Sequence, residues 1–269
     1  MTISPEAGGI GRAFRRRAEA GNASLVPYLT AGFPSEDASE AAVRAAIGAG
    51  ADVVELGVPF SDPIADGPTI QRSSFRALEM GMTLEKVLGM LRRLREDQTT
   101  PVVLFTYLNP VLRFGVERFL AEAADAGADG VLLTDLQAGA DPRVEGLVTD
   151  SPLDLIRLIA PTTAPERVPD VVSGGGGFVY YIGRTGVTGA RSELRAELAG
   201  EVEALRSVVS LPVAVGFGIS TPEQAAFVGR SADGVIVGSA LIEAQEAGGA
   251  EGVSEFLSGL RAGMDQPPG

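Results

Sequence analysis

The chain alternates short apolar runs with amphipathic stretches along nearly its whole length, and this pattern constrains the fold most. Strands that are apolar on both faces are typical of parallel sheets covered on both sides. The pattern predicts a (β/α)₈ (TIM) barrel, with an open doubly wound sheet as the alternative. The eight runs are SLVPYLTAG (24–32), DVVELG (52–57), PVVLFTYL (101–108), DGVLLTD (129–135), LDLIRLIAP (153–161), FVYYIG (178–183), LPVAVGFG (211–218) and DGVIVGSA (233–240).

The amphipathic stretches predict the outer helices. An extra helix over about 5–20 is expected to cap the barrel bottom, with the arginines of 15–17 facing solvent. Four glycines at 174–177 suggest a loose connection into the sixth strand rather than a ligand loop. We expect 1–269 to form one barrel domain, with a frayed tail over 264–269. The remaining predicted helices are 35–50, 83–97, 116–127, 165–174, 192–209, 221–230 and 253–263, together with a short or irregular one over 139–150.

A junction recurs three times: a helical segment ends in small residues, and an aspartate then precedes the strand. The sequences are GAGADVVELG (48–57), DAGADGVLLTD (125–135) and RSADGVIVGSA (230–240). The aspartates are Asp52, Asp129 and Asp233, and their spacing of two and then four strand–helix units agrees with closure into a barrel.

The residue types that are missing exclude several mechanisms. The chain has no histidine and no cysteine, and Lys86 is its single lysine. A Ser-His-Asp triad, a zinc site of His or Cys ligands and a thiol nucleophile are therefore excluded, and no metal site is predicted. Acid/base chemistry is left to Asp, Glu, Tyr or Lys86.

The charge of the chain bears on its partners. The formal net charge is −13, which disfavours binding to nucleic acid or to an anionic membrane surface. No apolar segment has the length of a signal peptide core or a membrane span, so we expect a soluble cytoplasmic protein that acts on a small molecule.

Two carboxylates stand where a barrel of this kind has its active site, at the C-terminal ends of the strands. Glu55 shares a strand face with Val53 near the end of the second strand, so it points into the barrel mouth or belongs to a structural ion pair. Burial there would raise its pKa towards neutrality. Asp66, in the proline-rich loop VPFSDPIADGP (58–68), either reaches over the site or acts as a turn or helix cap.

Glycine-bearing segments follow the last three strands: GRTGVTGA (183–190), GFGIS (216–220) and VGSA (237–240). Exposed backbone N–H groups after the seventh and eighth strands, with a helix starting there, form the usual phosphate cradle of such barrels. Three such segments at consecutive strand ends favour phosphate binding over simple turn chemistry.

With LVPYLTAGFP, ELGVPFSDPIADGPTIQ, FTYLNPV, LIAPTT, GVTGAR, GFGIS and VGSA in this order, the chain closely resembles the α subunit of tryptophan synthase. The resemblance covers about residues 10–262. It implies a (β/α)₈ barrel that cleaves indole-3-glycerol phosphate to indole and glyceraldehyde 3-phosphate without metal or cofactor. It also implies an α₂β₂ assembly with a β subunit, which holds the pyridoxal phosphate.

The resemblance also implies roles for individual residues. Glu55 matches the acid/base carboxylate and Asp66 the carboxylate that steadies the indole N–H. Arg184 and Thr188 fall on a mobile loop, and Thr188 would meet Asp66 on closure. The implied substrate pocket is Tyr28, Ile70, Phe105, Tyr107, Leu132, Tyr180, Thr188 and Phe217. The implied phosphate cradle is Gly189, Gly218, Gly238 and Ser239.

Two positions depart from the family pattern. Gln137 stands where the family usually has proline, in a loop that, with Pro59 and Asp62, lies near the β partner. Phe178 stands where a tyrosine is common. A free-standing indole-3-glycerol-phosphate lyase therefore stays open, and so does a non-catalytic barrel that activates the β subunit, although Glu55 and Asp66 argue against the latter.

Overall fold

Parallel strands form the centre of the molecule. The structure, a computed structural model, describes residues 8–183, 191–216 and 218–266. Every pairing between strands is parallel, and each of the eight predicted runs contributes to the sheet. The strands are β1 Ser24–Thr30, β2 Val54–Gly57, β3 Val102–Thr106, β4 Gly130–Leu133, β5 Asp154–Leu155, β6 Arg157–Ile159, β7 Val179–Ile182, β8 Val213–Gly216 and β9 Gly234–Val237.

The sheet closes into a barrel. Its strand order is β5-β4-β3-β2-β1-β9-β8-β7-β6, so β5 and β6 lie at the two ends. Only Ile156 separates them in sequence, which makes them two parts of one strand joining the ends of the sheet. The predicted eight-stranded (β/α)₈ barrel is confirmed, and the open doubly wound alternative is wrong.

Helices surround the barrel, and two of them, α3 and α5, were not predicted. No helix in the described ranges is long and apolar enough to cross a membrane. The segment 139–150 forms a short helix, as predicted, which Asp141 caps by accepting from the Val144 N–H at 3.0 Å. The helices are α1 Gly9–Glu19, α2 Glu36–Gly48, α3 Pro68–Glu79, α4 Leu84–Leu94, α5 Leu108–Phe114, α6 Val116–Asp125, α7 Pro142–Thr149, α8 Val168–Val172, α9 Arg191–Val208, α10 Pro222–Ser231 and α11 Ser239–Met264, with a 3₁₀ turn at Pro165–Arg167.

Helix α1 closes the bottom of the barrel, at the N-terminal ends of the strands. Ile10 and Phe14 are buried with the interior side chains of the strands, and the Phe14 ring stacks on Phe178 at 5.3 Å between centroids. The predicted extra helix therefore exists, from Gly9 to Glu19. Phe178, the departure from the family pattern, completes this apolar floor.

The three junction aspartates share one role at this bottom end. Each accepts a hydrogen bond from the N–H of a residue in or beside a neighbouring strand, at 2.9–3.0 Å, and each forms an ion pair with arginine. Asp52 accepts from Leu25 N and pairs with Arg16, Arg17 and Arg261. Asp129 accepts from Val102 N and pairs with Arg95. Asp233 accepts from Val213 N and pairs with Arg206. The recurring junction therefore holds the N-terminal ends of neighbouring strands together.

Two sequence expectations about this end are wrong. Arg17 does not face solvent: its side chain is 18% exposed and reaches Asp52 and Asp265, whereas Arg16 is 70% exposed. The glycines of 174–177 are not loose either. A Cβ on Gly175 would lie 2.9 Å from the backbone carbonyl oxygen of Val172, so a larger residue would force the backbone to shift in this closely packed segment.

Candidate active site

Glu55 points into the barrel and is completely buried. It lies on β2, two residues after Val53, which is a member of the interior cluster, and it pairs in register with Tyr28 on β1. Its exposure is 0%, and neither carboxylate oxygen has a hydrogen-bond partner among the described residues. Burial without a partner disfavours the charged form and raises the pKa of Glu55 to about 8. The alternative of a structural ion pair is therefore wrong.

Asp66 is held at the barrel mouth by Tyr107. The Tyr107 hydroxyl donates to Asp66 Oδ2 at 3.0 Å and accepts from the Ala65 N–H at 3.0 Å. Burial raises the pKa of Asp66 to about 6, and the hydrogen bond from Tyr107 limits the rise. Its carboxylate is no helix cap, because α3 begins after Gly67 with no side-chain cap.

Tyr28 and Tyr180 lie beside both carboxylates. Their hydroxyls pack against glycines: a Cβ would approach the Tyr28 hydroxyl to 2.1 Å at Gly57 and the Tyr180 hydroxyl to 2.4 Å at Gly216. Burial raises the pKa of both phenols above the ordinary value, and the charges of Asp66 and Glu55 raise it further. Both tyrosines therefore stay neutral and can donate hydrogen bonds to a ligand.

The other implied pocket residues surround this centre. Phe105 meets the Tyr28 ring edge-on at 5.1 Å, and Leu132 is fully buried in the interior cluster. Ile70, on α3, lies near Gly238, with its Cδ1 3.5 Å from the place of a Cβ there. Arg184, Thr188 and Phe217 lie outside the described residues.

The implied phosphate cradle lies on neighbouring strand ends. Gly218 follows β8 and Gly238 follows β9, and these strands pair in parallel, so both segments reach the same edge of the barrel. Gly218 has a φ of 49°, and no described residue lies within 4 Å of a Cβ built on it. Gly238 precedes α11, whose first residue is Ser239, so the partial positive charge of this helix start faces the same edge. Gly189 lies outside the described residues.

The contacts that hold Asp66 have no signal in the sequence. Tyr107 is expected in the pocket, but its contact with Asp66 spans 41 residues of sequence. Gln71 is not a predicted site residue, yet its side-chain amide donates to the Asp66 carbonyl at 2.8 Å and so ties the loop to α3. In the described part of the chain, no group of three acidic side chains could hold a metal ion.

Comparison with known proteins gives one family. The model of the tryptophan synthase alpha chain family matches residues 14–259. The tryptophan synthase alpha chain of Geobacter sulfurreducens is 50% identical over 244 residues, which are 88% of this chain and 92% of the relative. That of Gluconacetobacter diazotrophicus is 51% identical over 224 residues, 83% of this chain and 82% of the relative.

Solved structures agree with the sequence relatives. Tryptophan synthase from Mycobacterium tuberculosis superposes with a TM-score of 0.88 at 38% identity, covering 97% of this chain and 100% of the other. Tryptophan synthase subunit alpha from Legionella pneumophila gives 0.87 at 37% identity, covering 96% and 98%.

Proposed function

This chain belongs to the tryptophan synthase alpha chain family, and we propose that Glu55 and Asp66 are the two carboxylates that carry out its reaction. The chain is a lyase that cleaves indole-3-glycerol phosphate to indole and glyceraldehyde 3-phosphate. It uses no cofactor of its own. Its partner is the β subunit, which holds pyridoxal phosphate and joins the indole to serine to make tryptophan.

Glu55 serves as the acid and then as the base. With a pKa of about 8 it carries a proton at neutral pH, so it can protonate the indole ring carbon C3. The resulting carboxylate then takes the proton of the glycerol hydroxyl next to that carbon. The bond between C3 and the glycerol carbon breaks, its electron pair restores the indole ring, and the hydroxyl carbon becomes the aldehyde. Glu55 ends protonated again.

Asp66 serves as the ionised carboxylate that faces the indole N–H. With a pKa of about 6 it is mostly ionised at neutral pH, so it can accept a hydrogen bond from the indole N–H while positive charge develops on the ring. Because their pKa values differ, one carboxyl group can donate a proton while the other stabilises positive charge. Tyr107 positions Asp66 through the hydrogen bond between them.

The remaining site residues bind the substrate. The backbone N–H groups of Gly218, Gly238 and Ser239 are proposed to bind the phosphate. The resemblance to the family implies the same role for Gly189. The residues proposed to surround the indole and the glycerol chain are Tyr28, Ile70, Phe105, Leu132 and Tyr180. The resemblance to the family implies the same role for Thr188 and Phe217. The observation that carries the assignment is the buried Glu55 carboxylate with two oxygens that have no partner.

We also propose an α₂β₂ assembly and a cytoplasmic location. The assay that tests the function is indole release from indole-3-glycerol phosphate, with and without the β subunit. We expect slow turnover by the chain alone and strong activation by the partner. Fast turnover without activation would favour the free-standing lyase, and no turnover in either condition would favour the non-catalytic activator.

A further inference from the structure

A short turn at the barrel mouth carries Asp66. The turn spans residues 63–66, and its ends are joined by a hydrogen bond from the Asp66 N–H to the Pro63 carbonyl at 3.1 Å. Within the turn, Ile64 is 77% exposed, so its side chain adds little packing that would hold the turn in place. The position of Asp66 therefore depends on the polar groups that bind this turn.

Gln71 binds both ends of the turn. Its side-chain Nε2 donates to the Asp66 carbonyl at 2.8 Å and to the Pro63 carbonyl at 3.3 Å. A carbonyl oxygen can only accept, so the amide presents its NH₂ group here, and its two N–H bonds match the two acceptors. One side chain thus ties the first and the last residue of the turn to α3.

Helix α3 gives Gln71 a fixed base. The Gln71 N–H donates to the Gly67 carbonyl at 2.9 Å, which places the residue in the first turn of the helix. Ser73 and Ala77, further along α3, are completely buried against the barrel. The start of the helix has no side-chain cap, so Gln71 supplies a side-chain bond between the helix and the loop before it.

Tyr107 holds the same turn at different atoms. Its hydroxyl accepts from the Ala65 N–H and donates to Asp66 Oδ2, both at 3.0 Å. Gln71 therefore fixes the backbone of the turn, and Tyr107 fixes the carboxylate, leaving Oδ1 for the indole N–H. A group that stabilises developing charge must be in place before the charge develops, and a misplacement of about 1 Å can cost about 10²-fold in rate.

We propose that Gln71 is a positioning residue for the cleavage reaction. Its amide holds the turn 63–66 on α3, so that Asp66 meets the indole N–H while positive charge develops on the ring. Gln71 itself does not touch the substrate and acts through Asp66. The proposal therefore rests on the proposed function of Asp66.

The test is Gln71→Met, which keeps the length of the side chain but removes both donors. Indole release with the β subunit present should show kcat lowered about tenfold and KM within a factor of about two, because the lost interaction strengthens only as charge develops. The parent chain is assayed beside it. No indole release by the parent would refute the proposed function, whereas a normal parent with an unchanged kcat in Gln71→Met would refute the role of Gln71 alone.

Two controls separate positioning from damage to the fold. Glyceraldehyde 3-phosphate lacks the indole N–H, so its Kd, measured by titration calorimetry, should agree within a factor of about two between parent and Gln71→Met. Gln98→Met changes another partly buried glutamine, which precedes β3 at the barrel bottom, and should leave kcat unchanged.

A double-mutant cycle with Asp66 gives the decisive result. In an Asp66→Asn chain, Gln71→Met should lower the residual kcat by less than about twofold, because the carboxylate that Gln71 positions is no longer present. A loss of about tenfold in both backgrounds would overturn the proposal. So would a loss that appears equally in KM or in the binding of glyceraldehyde 3-phosphate, or an equal loss of kcat in Gln98→Met.

Discussion

The two ends of the barrel use buried carboxylates in opposite ways. At the bottom, Asp52 is 6% exposed but accepts the Leu25 N–H and pairs with three arginines. At the mouth, Glu55 is 0% exposed and has no partner among the described residues. Burial alone therefore does not distinguish structure from chemistry in this fold. The presence or absence of a partner does, because it decides whether the carboxylate is held ionised or can carry a proton.

The largest expected effect is loss of turnover at the mouth. Glu55→Gln should lower kcat for indole release by at least about 10³-fold, because the amide keeps the shape but cannot transfer a proton. Steady-state kinetics with the β subunit present measure it. Asp52→Asn, the matched change at the bottom, should keep kcat within a factor of about two. Normal turnover by Glu55→Gln would refute the catalytic assignment.

The bottom carboxylate should instead control stability. Asp52→Ala should lower the free energy of unfolding by about 3 kcal/mol, since it leaves a buried strand N–H and neighbouring guanidinium groups without their acceptor. Urea denaturation measures this. The control Asp125→Ala removes an exposed acid, 79% accessible and 3.4 Å from Arg92, and should change stability by less than about 0.5 kcal/mol. Equal effects of the two changes would contradict the role given to the junction aspartates.

Glu55→Gln should raise the free energy of unfolding, whereas Asp52→Ala lowers it. Between the ordinary pKa of 4.5 and about 8, the unfolded carboxyl has lost its proton whereas the folded one keeps it, so stability falls as pH rises through this range. Removing the group should therefore stabilise the fold by about 2 kcal/mol at pH 8, and by less at pH 5. A variant that is no more stable than the parent at pH 8 would argue against a buried, unpaired Glu55.

Tyr107→Phe should give the smallest effect. It removes the donor to Asp66 and should lower kcat about tenfold. It should also move the acidic limb of the kcat/KM profile to higher pH, because that hydrogen bond holds the pKa of Asp66 down. The profile itself should fall below about 6 as Asp66 gains a proton, and above about 8 as Glu55 loses one. If the acidic limb of the kcat/KM profile lies at the same pH in the variant, Tyr107 only fills space and does not lower the pKa of Asp66.

At the barrel mouth, the sequence predicts the positions of strand residues better than the contacts made by loop residues. Period-2 alternation could place Glu55 on the same strand face as Val53. It could not decide between the barrel mouth and a structural ion pair, because that depends on neighbours from other strands. The link from Asp66 to Tyr107 could not be predicted, because it joins two loops through a tertiary contact that no local pattern encodes. Helix α3 was missed for a related reason: the proline-rich loop before it hid its start at Pro68, which follows Gly67 without a side-chain cap.

The bottom shows the same limit. The recurring aspartates were visible as a repeat, but their hydrogen bonds to neighbouring strands depend on barrel closure. Arg17 looked solvent-facing within a run of arginines, yet α1 folds back so that it reaches Asp52 and Asp265. Glycine permits both freedom and close packing, so the sequence of 174–177 does not distinguish the two, whereas the approach of Gly175 to the Val172 carbonyl shows close packing.

The most direct test of this contrast is a pH titration of the Glu55 carboxyl, followed by NMR with ¹³C-labelled glutamate. We predict one carboxyl resonance with a midpoint near 8 that is absent from Glu55→Gln. A Glu55 midpoint near the ordinary value of 4.5 would contradict the claim that burial without a partner keeps this carboxyl protonated at neutral pH.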